Sequence, residues 1–323
     1  MSDEPVPAGR DAEAARRWDD HVKNTELLNA ELPDERFVDP TYLEWLYDKN
    51  PLGLAYTDTI DNEDGTRIGH YALIPQRYRN RDGVAKFVFS LNAVARTGHQ
   101  RRGFFGRLGN VIWSAAQADG VQAIIGVMNT KSTGSTRKNG WRVMGPLPVK
   151  VVTPSPIRPR DVDSYDLTPA FLSTPAFTDL VQGLDESPAW NWTNCWTPEA
   201  LRWRLSAPNR PLYTLHRSRD LVGISTLTHE RGVPAVVVLK LLPRDGRFGP
   251  ISAHELITAM CHHHRAPLAV YTGHNRHVVV RGIALPEALK PVPLNIGVLS
   301  LSDAVDQTTF QLDTYEFLDM DAY

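Results

Sequence analysis

The chain has 323 residues, of which 42% are hydrophobic and 22% charged, a composition typical of a folded protein long enough for two domains. Its formal net charge of −2 argues against nucleic acid as a partner, because a general phosphate-binding surface needs a marked cationic excess. Two distant cysteines exclude a disulfide framework, and we find neither a signal-peptide core nor a membrane-spanning run, so we expect a cytoplasmic protein with no membrane partner.

The first strong signal in chain order is a capped helix that recurs in the second half. The segments "DPTYLEWLYDKNPLGLAYT" from Asp39 and "TPEALRWRLSAPNRPLYT" from Thr197 share a polar cap, a proline, a short helix, a Pro/Asn break and a strand. Further matches follow in the same order: "RIGHYALIP" with "LVGISTLTH", and "WRVMGPLPVKVV" with "LKPVPLNIGVLSL". Capped helices can resemble each other by chance, but the shared order favours two copies of one α/β unit.

A strand and a helix meet at a basic, glycine-rich turn. Lys86 to Val94 alternates like a strand and predicts that Ser90 and Asn92 lie on one face. The following helix presents a core-facing stripe, formed by Phe105, Leu108, Gly109, Ile112 and Ala116.

The turn itself, "QRRGFFGR", has the character of an anion site. Glycines let a ligand approach the free N–H groups at a helix N-terminus, and arginines add charge suited to phosphate. The alternative is a basic surface loop with no ligand. The coincidence of glycine, arginine and the change from strand to helix favours the phosphate hypothesis.

This stretch resembles the coenzyme A pyrophosphate loop of the GNAT acyltransferase superfamily, whose motif is Gln/Arg-x-x-Gly-x-Gly/Ala. Gln100 and Gly103 fit the motif, whereas Phe105 stands where Gly or Ala is usual and Gly106 follows it. "VQAIIGVMN" is similar to the next GNAT strand, and "STRKNGWRVMGPLPV" to the helix and strand after it. The similarity covers Tyr42 to Val152 and reaches the second half only through the repeat.

The resemblance implies an α/β fold of two GNAT-like units, each a mixed, mostly antiparallel twisted sheet flanked by helices, with the second unit degenerate. The Pro- and Asp-rich stretch from Pro154 to Tyr165 has the composition of a linker. We therefore expect an acyl-CoA-binding domain at residues 1–155 and a degenerate domain at 156–323 that completes the acceptor cleft. The second copy has lost the Gln-x-x-Gly pattern and is expected to bind no coenzyme.

The resemblance also implies site residues. Those expected to hold acetyl-CoA or another acyl-CoA are Ala93, Val94, Gln100, Arg101, Arg102, Gly103, Phe104, Gly106, Arg107, Asn129 and Ser132. Three residues are expected to be catalytic: His70 as the base, Asn92 at the backbone that serves the oxyanion, and Asn129 holding the pantetheine arm or a water.

Each of these assignments has an alternative. His70 equally fits a core residue, and Asn129 equally fits local backbone satisfaction. The usual Tyr that protonates the thiolate is missing; Ser132 or Thr133 can relay a proton or simply lie in a solvated loop. Glu316, Asp319 and Asp321 can reach an amine or form an acidic tail. The "CHHHR" run lacks metal-ligand spacing on one helix face, so we interpret it as an exposed helix end with no metal.

The tandem arrangement, with one intact and one degenerate copy, resembles that of amino-sugar N-acyltransferases that act on nucleotide-linked sugars. The implied function is transfer of an acyl group from a thioester to the primary amine of a small acceptor, with a nucleotide-linked amino sugar as a candidate. Two alternatives stay open: an aminoacyl-tRNA-dependent transferase on the same fold, and a non-catalytic acyl-CoA-binding module. We expect a monomer or a homodimer.

Overall fold

The computed structural model describes residues 8–32, 38–100, 102–184, 188–230, 232–244, 250–286 and 294–320. The elements up to residue 152 are, in chain order, α1 (Ala8–Glu31), α2 (Pro40–Asp48), β1 (Tyr56–Asp61), β2 (Arg67–Asn80), β3 (Gly83–Ala95), α3 (Phe104–Ala118), β4 (Ala123–Met128), α4 (Thr130–Lys138), β5 (Arg142–Pro146) and β6 (Val149–Val152).

The remaining elements are β7 (Asp163–Asp166), α5 (Pro169–Leu172), α6 (Pro175–Val181), β8 (Thr193–Asn194), α7 (Pro198–Leu205), β9 (Tyr213–Arg217), β10 (Leu221–Glu230), β11 (Val233–Pro243), β12 (Ile251–Ser252), α8 (His254–His264), β13 (Ala269–Asn275), β14 (Val278–Val279), β15 (Ile283–Ala284), β16 (Asn295–Ser300), β17 (Thr314–Glu316) and a 3₁₀ turn (Phe317–Asp319).

The predicted repeat is confirmed by the helix caps and by the order of elements. Helix α2 begins at Pro40 with Asp39 as its N-cap, and α7 begins at Pro198 with Thr197 as its N-cap. Each cap side chain accepts a hydrogen bond from the backbone N–H three residues later, and each proline stands where its missing N–H costs no helical bond. Each of these helices then leads through one strand into a pair of longer strands and a helix.

The strands form two large mixed sheets. The first has the order β1-β2-β3-β4-β16-β5, with β8 attached to β2. The second has the order β15-β6-β13-β11-β10-β9-β7, with β17 attached to β13. Strand β7 overlaps the end of the predicted linker. It forms an edge of the second sheet and pairs antiparallel with β9.

One strand of each copy lies in the sheet of the other copy. β16, from near the C-terminus, pairs antiparallel with both β4 and β5. β6, from the first half of the chain, pairs antiparallel with both β13 and β15. These two strands belong to the pair of segments whose sequences match in the repeat, so equivalent strands have exchanged places.

The chain divides into two compact units that are not contiguous in sequence. One contains residues 1–75, 90–119 and 207–209, and the other contains 76–89, 120–206 and 210–323. In the latter, β11 separates two apolar clusters: Val237 and Leu239 belong to one, and Val236 and Val238 to the other. The domain boundary expected near residue 155 stays a prediction.

Candidate active site

The predicted anion loop leads from β3 into α3 and ends at an unusual helix start. Gly103 is the N-cap of α3 and adopts a left-handed conformation with φ of 74°, which residues with a side chain rarely adopt. No side chain of the described residues caps this helix, and its first internal bond runs from Arg107 N to Gly103 O at 3.0 Å. The N–H groups of the first turn therefore remain available to a ligand.

Two anchors hold the beginning of this loop. The Glu31 carboxylate, at the end of α1, accepts hydrogen bonds from the Thr97 backbone N–H at 2.8 Å and from its hydroxyl at 2.7 Å. Arg96 donates from its backbone N–H to Ile68 O and from Nε to Arg67 O. The loop is thus tied to α1 and β2 before it reaches Gly103.

The expected phosphate-binding residues lie at the start of α3. Arg102 and Arg107 are exposed, as is Gln100, while Phe104 and Gly106 are half-buried. Exposed guanidinium groups beside free N–H groups form a cationic surface suited to a phosphate group. Arg101 lies outside the described residues.

Helix α3 packs as its sequence predicts. Its buried residues are Leu108, Gly109, Ile112 and Ala116, and the half-buried Phe105 ring lies 5.2 Å from the ring of Tyr71 on β2. The stripe predicted for this helix is confirmed, and it is this packing on β2 that orients the helix N-terminus.

Asn92 lies at a break in β3. Its φ of 53° is left-handed, a conformation that Asn tolerates better than most residues. The break separates two side chains that the strand pattern placed on one face. Ser90 bonds to the hydroxyl of Tyr71, whereas Asn92 bonds to the hydroxyl of Tyr47, which also contacts His70. Because Tyr71 and His70 are consecutive on β2, they point to opposite faces, and the prediction of a shared face for Ser90 and Asn92 is wrong.

A line of three side chains connects α2, β2 and β3. Asn92 Nδ2 donates to Tyr47 Oη at 2.8 Å, and Tyr47 Oη lies 2.9 Å from His70 Nε2. The Tyr47 oxygen accepts from the amide, and its own proton can be donated to the imidazole when Nε2 is the unprotonated ring nitrogen. Nothing in the sequence pattern singled out Tyr47, because an aromatic residue on a helix face predicts only core packing.

His70 is completely buried. Burial lowers its pKa to about 3, so the imidazole stays neutral at neutral pH. It has no exposed surface with which to contact an amine, and its Nε2 is hydrogen-bonded to the hydroxyl of Tyr47. Through its bond to Tyr47, His70 orients Asn92.

The remaining predicted residues differ in environment. Ala93 is exposed and Val94 is half-buried, and both lie near the end of β3 before the loop. In the other compact unit, Asn129 is the exposed N-cap of α4: its Oδ1 accepts from the Ser132 backbone N–H at 3.0 Å and from the Ser132 hydroxyl at 3.1 Å. Asn129 and Ser132 thus bond to each other, which is the local role that the sequence left open.

Two expectations for the second half are wrong. Glu316 and Asp319 are wholly buried and contact Lys240, so they form no acidic tail, while Asp321 lies outside the described residues. The histidines at the end of α8 are half-buried rather than exposed: the rings of His263 and His264 lie 5.4 and 5.9 Å from that of His216.

In the portions of the chain that the structure describes, no group of three or more His, Cys, Asp or Glu side chains is arranged to hold a metal ion. Among the helices of those same portions, none has the length and apolar character needed to cross a bilayer.

Comparison with solved structures identifies the fold. The chain is similar to a GCN5-related N-acetyltransferase from Anabaena variabilis ATCC 29413 (TM-score 0.58, 10% identity, 87% of this chain and 70% of the other). It is also similar to Eis1 from Mycobacterium abscessus (TM-score 0.54, 11% identity, 88% of this chain and 72% of the other). A third similar structure is a tandem GNAT protein from the clavulanic acid biosynthesis pathway (TM-score 0.50, 11% identity, 88% of this chain and 96% of the other).

The fold is therefore GNAT-like, with two GNAT-like units of mixed α/β structure, as the sequence predicted. No protein-family model matches the sequence, and no curated protein matches it either.

Proposed function

We propose that this GNAT-like chain is an acyl-CoA-dependent N-acyltransferase that acts on the primary amine of a small acceptor. The observation that carries the proposal is the start of α3. A 15-residue helix begins without a side-chain cap, behind a left-handed glycine and between exposed arginines. Left-handed glycine, free N–H groups and guanidinium charge together favour a diphosphate, which coenzyme A carries.

The residues that would hold the coenzyme are those of the loop and of the first turn of α3, from Gln100 to Arg107. Acyl-CoA supplies the activated acyl group as a thioester. The backbone N–H groups from Asn92 to Val94 are proposed to donate to the oxyanion that develops when an amine attacks this group. The left-handed backbone at Asn92 supports this role, because it redirects the neighbouring N–H groups out of the regular strand pattern.

The proposed role of His70 is narrower than that of a base in contact with the amine. A wholly buried imidazole with a pKa of about 3 acts through Tyr47, which it holds in place for Asn92. His70 and Tyr47 are therefore proposed as positioning residues for the oxyanion-binding backbone, and the ammonium proton leaves to water.

The acceptor class and the coenzyme's acyl chain are the finer parts of the proposal. A nucleotide-linked amino sugar remains the candidate acceptor from the tandem resemblance. An aminoacyl-tRNA donor is disfavoured because the net charge of −2 provides no broad cationic surface for RNA. A non-catalytic acyl-CoA-binding module keeps the same loop and differs only in turnover.

The test is release of free thiol from a panel of acyl-CoAs in the presence of small amines, with the acylated product identified by mass spectrometry. Gly103→Val is expected to reduce coenzyme affinity roughly tenfold or more, because a left-handed backbone costs an L residue about 1–2 kcal/mol before any clash with the ligand. Gly65→Val is the matched control, since Gly65 also has a positive φ (82°), in the turn between β1 and β2.

Thiol release that depends on the amine and is lost in Gly103→Val but kept in Gly65→Val supports the proposal. Coenzyme binding without turnover for any amine identifies the binding module instead. Equal coenzyme affinity in Gly103→Val and the wild type contradicts the assignment of the loop.

A further inference from the structure

The ends of β11 and β13 separate in the second sheet. These two strands pair in parallel only from Val236 to Val238 and from Ala269 to Tyr271. Beyond that point, β13 continues to Asn275 and β11 to Pro243 without pairing to each other. The backbone groups at the two strand ends consequently need other partners.

The C-terminal segment supplies those partners. β17 pairs antiparallel with the end of β13, Glu316 lying opposite Gly273 and Thr314 opposite Asn275. The approach is so close that a Cβ on Gly273 would lie 2.1 Å from the carbonyl oxygen of Tyr315, and Gly273 has a φ of 123°. Only a residue without a side chain at position 273 allows β17 to approach β13 this closely.

The Glu316 carboxylate lies where the two strand ends meet. Its Oε2 is 3.1 Å from Lys240 Nζ and accepts from the Leu241 backbone N–H and from Asn275 Nδ2, both at 3.4 Å. Asn275 Nδ2 also donates to Leu241 O at 2.8 Å, which joins the two strands directly. A cation, a strand N–H and an amide thus converge on one carboxylate oxygen.

Asp319 completes the arrangement. Its Oδ2 lies 2.6 Å from Lys240 Nζ and accepts from the Glu316 backbone N–H at 2.7 Å, and its Oδ1 accepts from Trp196 Nε1 at 2.8 Å. Lys240, Glu316 and Asp319 are all buried, and burial raises the pKa of Glu316 to about 7, so the negative charge of Glu316 depends on Lys240 beside it. The C-terminal segment is therefore held at β17 through Glu316 and at the 3₁₀ turn through Asp319.

The internal repeat shows which residues of the first copy correspond to those around Glu316. Aligning "GVAKFVFSLNAV" from Gly83 with "GVPAVVVLKLLP" from Gly232 sets Leu241 against Asn92. Aligning "AIIGVMN" from Ala123 with "AVYTGHN" from Ala269 sets Asn275 against Asn129. Leu241 and Asn275, which contact the Glu316 oxygen through an N–H group, are the counterparts of Asn92 and Asn129, two of the residues that the sequence predicts to be catalytic.

We infer that the second half of the chain contains a carboxylate-binding site, formed by Lys240, the Leu241 N–H and Asn275, and that the chain's own Glu316 is its built-in occupant. The match to Asn92 and Asn129 rests on the proposed function; the carboxylate site itself does not. The C-terminal segment takes the place that an acyl group would occupy in a working copy. The second copy is therefore closed to a thioester ligand by the chain itself, in addition to having lost the loop motif.

The test is rescue of a side-chain deletion by a small carboxylate. Glu316→Ala removes the occupant and leaves Lys240, Leu241 N–H and Asn275 in place, so acetate is expected to bind there. At about 100 mM, acetate should raise the thermal midpoint of Glu316→Ala by several degrees relative to chloride at equal ionic strength, because a ligand of the folded state alone shifts unfolding. Glu255→Ala, at an exposed residue in the first turn of α8, is the matched control and should respond equally to both salts.

Hydrogen exchange locates the effect. In the ligand-free wild type, the amides of 272–276 and 314–319 should exchange as slowly as those of 235–238. In Glu316→Ala they should exchange at least about tenfold faster, and acetate should slow them again. No coenzyme enters these measurements, so their outcome is independent of whether acyl transfer is found.

Identical effects of acetate and chloride on Glu316→Ala overturn the inference, as does rapid exchange of 314–319 in the wild type. Where Glu316→Ala is recovered folded only in acetate, the inference is supported. Glu316→Gln keeps the side-chain volume without the charge; wild-type exchange of 272–276 in that variant overturns the inference, because the carboxylate is then dispensable.

Discussion

At the scale of single residues, the Asn92 side chain is held by two consecutive hydrogen bonds, to Tyr47 and from Tyr47 to His70, and the protonation of His70 decides whether both can form. Asn92 Nδ2 can only donate, so Tyr47 accepts from it and donates its own proton to His70 in the neutral tautomer whose Nε2 carries no hydrogen. A protonated imidazole could not accept that bond. The same burial that keeps His70 neutral therefore preserves the orientation of the Asn92 side chain.

This burial predicts how stability depends on pH. The pKa of His70 is about 3 in the folded chain and near 6.5 when unfolded, so its contribution to stability is fully present above about pH 6.5 and is lost as the pH falls toward 3. Between pH 7.5 and 4.5 the His70 contribution to the free energy of unfolding should fall by about 2.7 kcal/mol. Chemical denaturation of the wild type and of His70→Gln at both pH values measures the difference.

Burial also lowers the pKa of His216 well below its usual range and that of His264 to about 4, so these residues add to the pH dependence of the wild type. The contribution of His70 is therefore the difference between the wild type and His70→Gln. His254→Gln, at an exposed position, is the control and should retain the full wild-type loss. The same loss of stability in His70→Gln and in the wild type would show that His70 does not titrate as its burial requires.

At the scale of elements, the exchange of β6 and β16 makes each sheet depend on a distant segment. Ile296 and Val298 of β16 are buried, and the strand pairs with β4 on one edge and with β5 on the other. Without β16, the strands β4 and β5 would lose these backbone hydrogen bonds and much of their apolar cover. The exchange therefore couples the folding of the two halves.

A fragment of residues 1–155 is accordingly expected not to fold by itself, although it contains the whole coenzyme-binding loop. Circular dichroism and NMR of the fragment should show an unfolded or fluctuating chain, and mixing it with residues 156–323 should restore structure. A folded 1–155 fragment that binds coenzyme would contradict this, and would show that the expected boundary near residue 155 separates two autonomous domains.

The exchange marks the limit of what the sequence could predict for these elements. The segments "WRVMGPLPVKVV" and "LKPVPLNIGVLSL" match in the repeat, and alternation predicts strands in both. Alternation says which residues face a core, but two equivalent strands suit either of two equivalent sheets. The choice is made by tertiary contacts that local periodicity does not encode.

At the scale of the whole molecule, the order of elements and the repeat were predictable because caps, prolines and strand patterns are local signals. The GNAT-like fold followed from the loop motif and the segments after it. The break at Asn92 was not predictable, since one left-handed residue reverses the faces of a strand without changing its composition. The burial of Glu316 and Asp319 was missed because their partner Lys240 is far away in the sequence.

The measurement that tests the account most directly is calorimetric titration of the chain with acetyl-CoA, combined with hydrogen exchange of the complex. One coenzyme should bind per chain, and the amides protected on binding should include those of residues 96–107. The amides of 239–243 and 272–276 should not change. Two equivalent sites per chain, no binding at all, or protection in the second half without any at residues 96–107 would contradict the account.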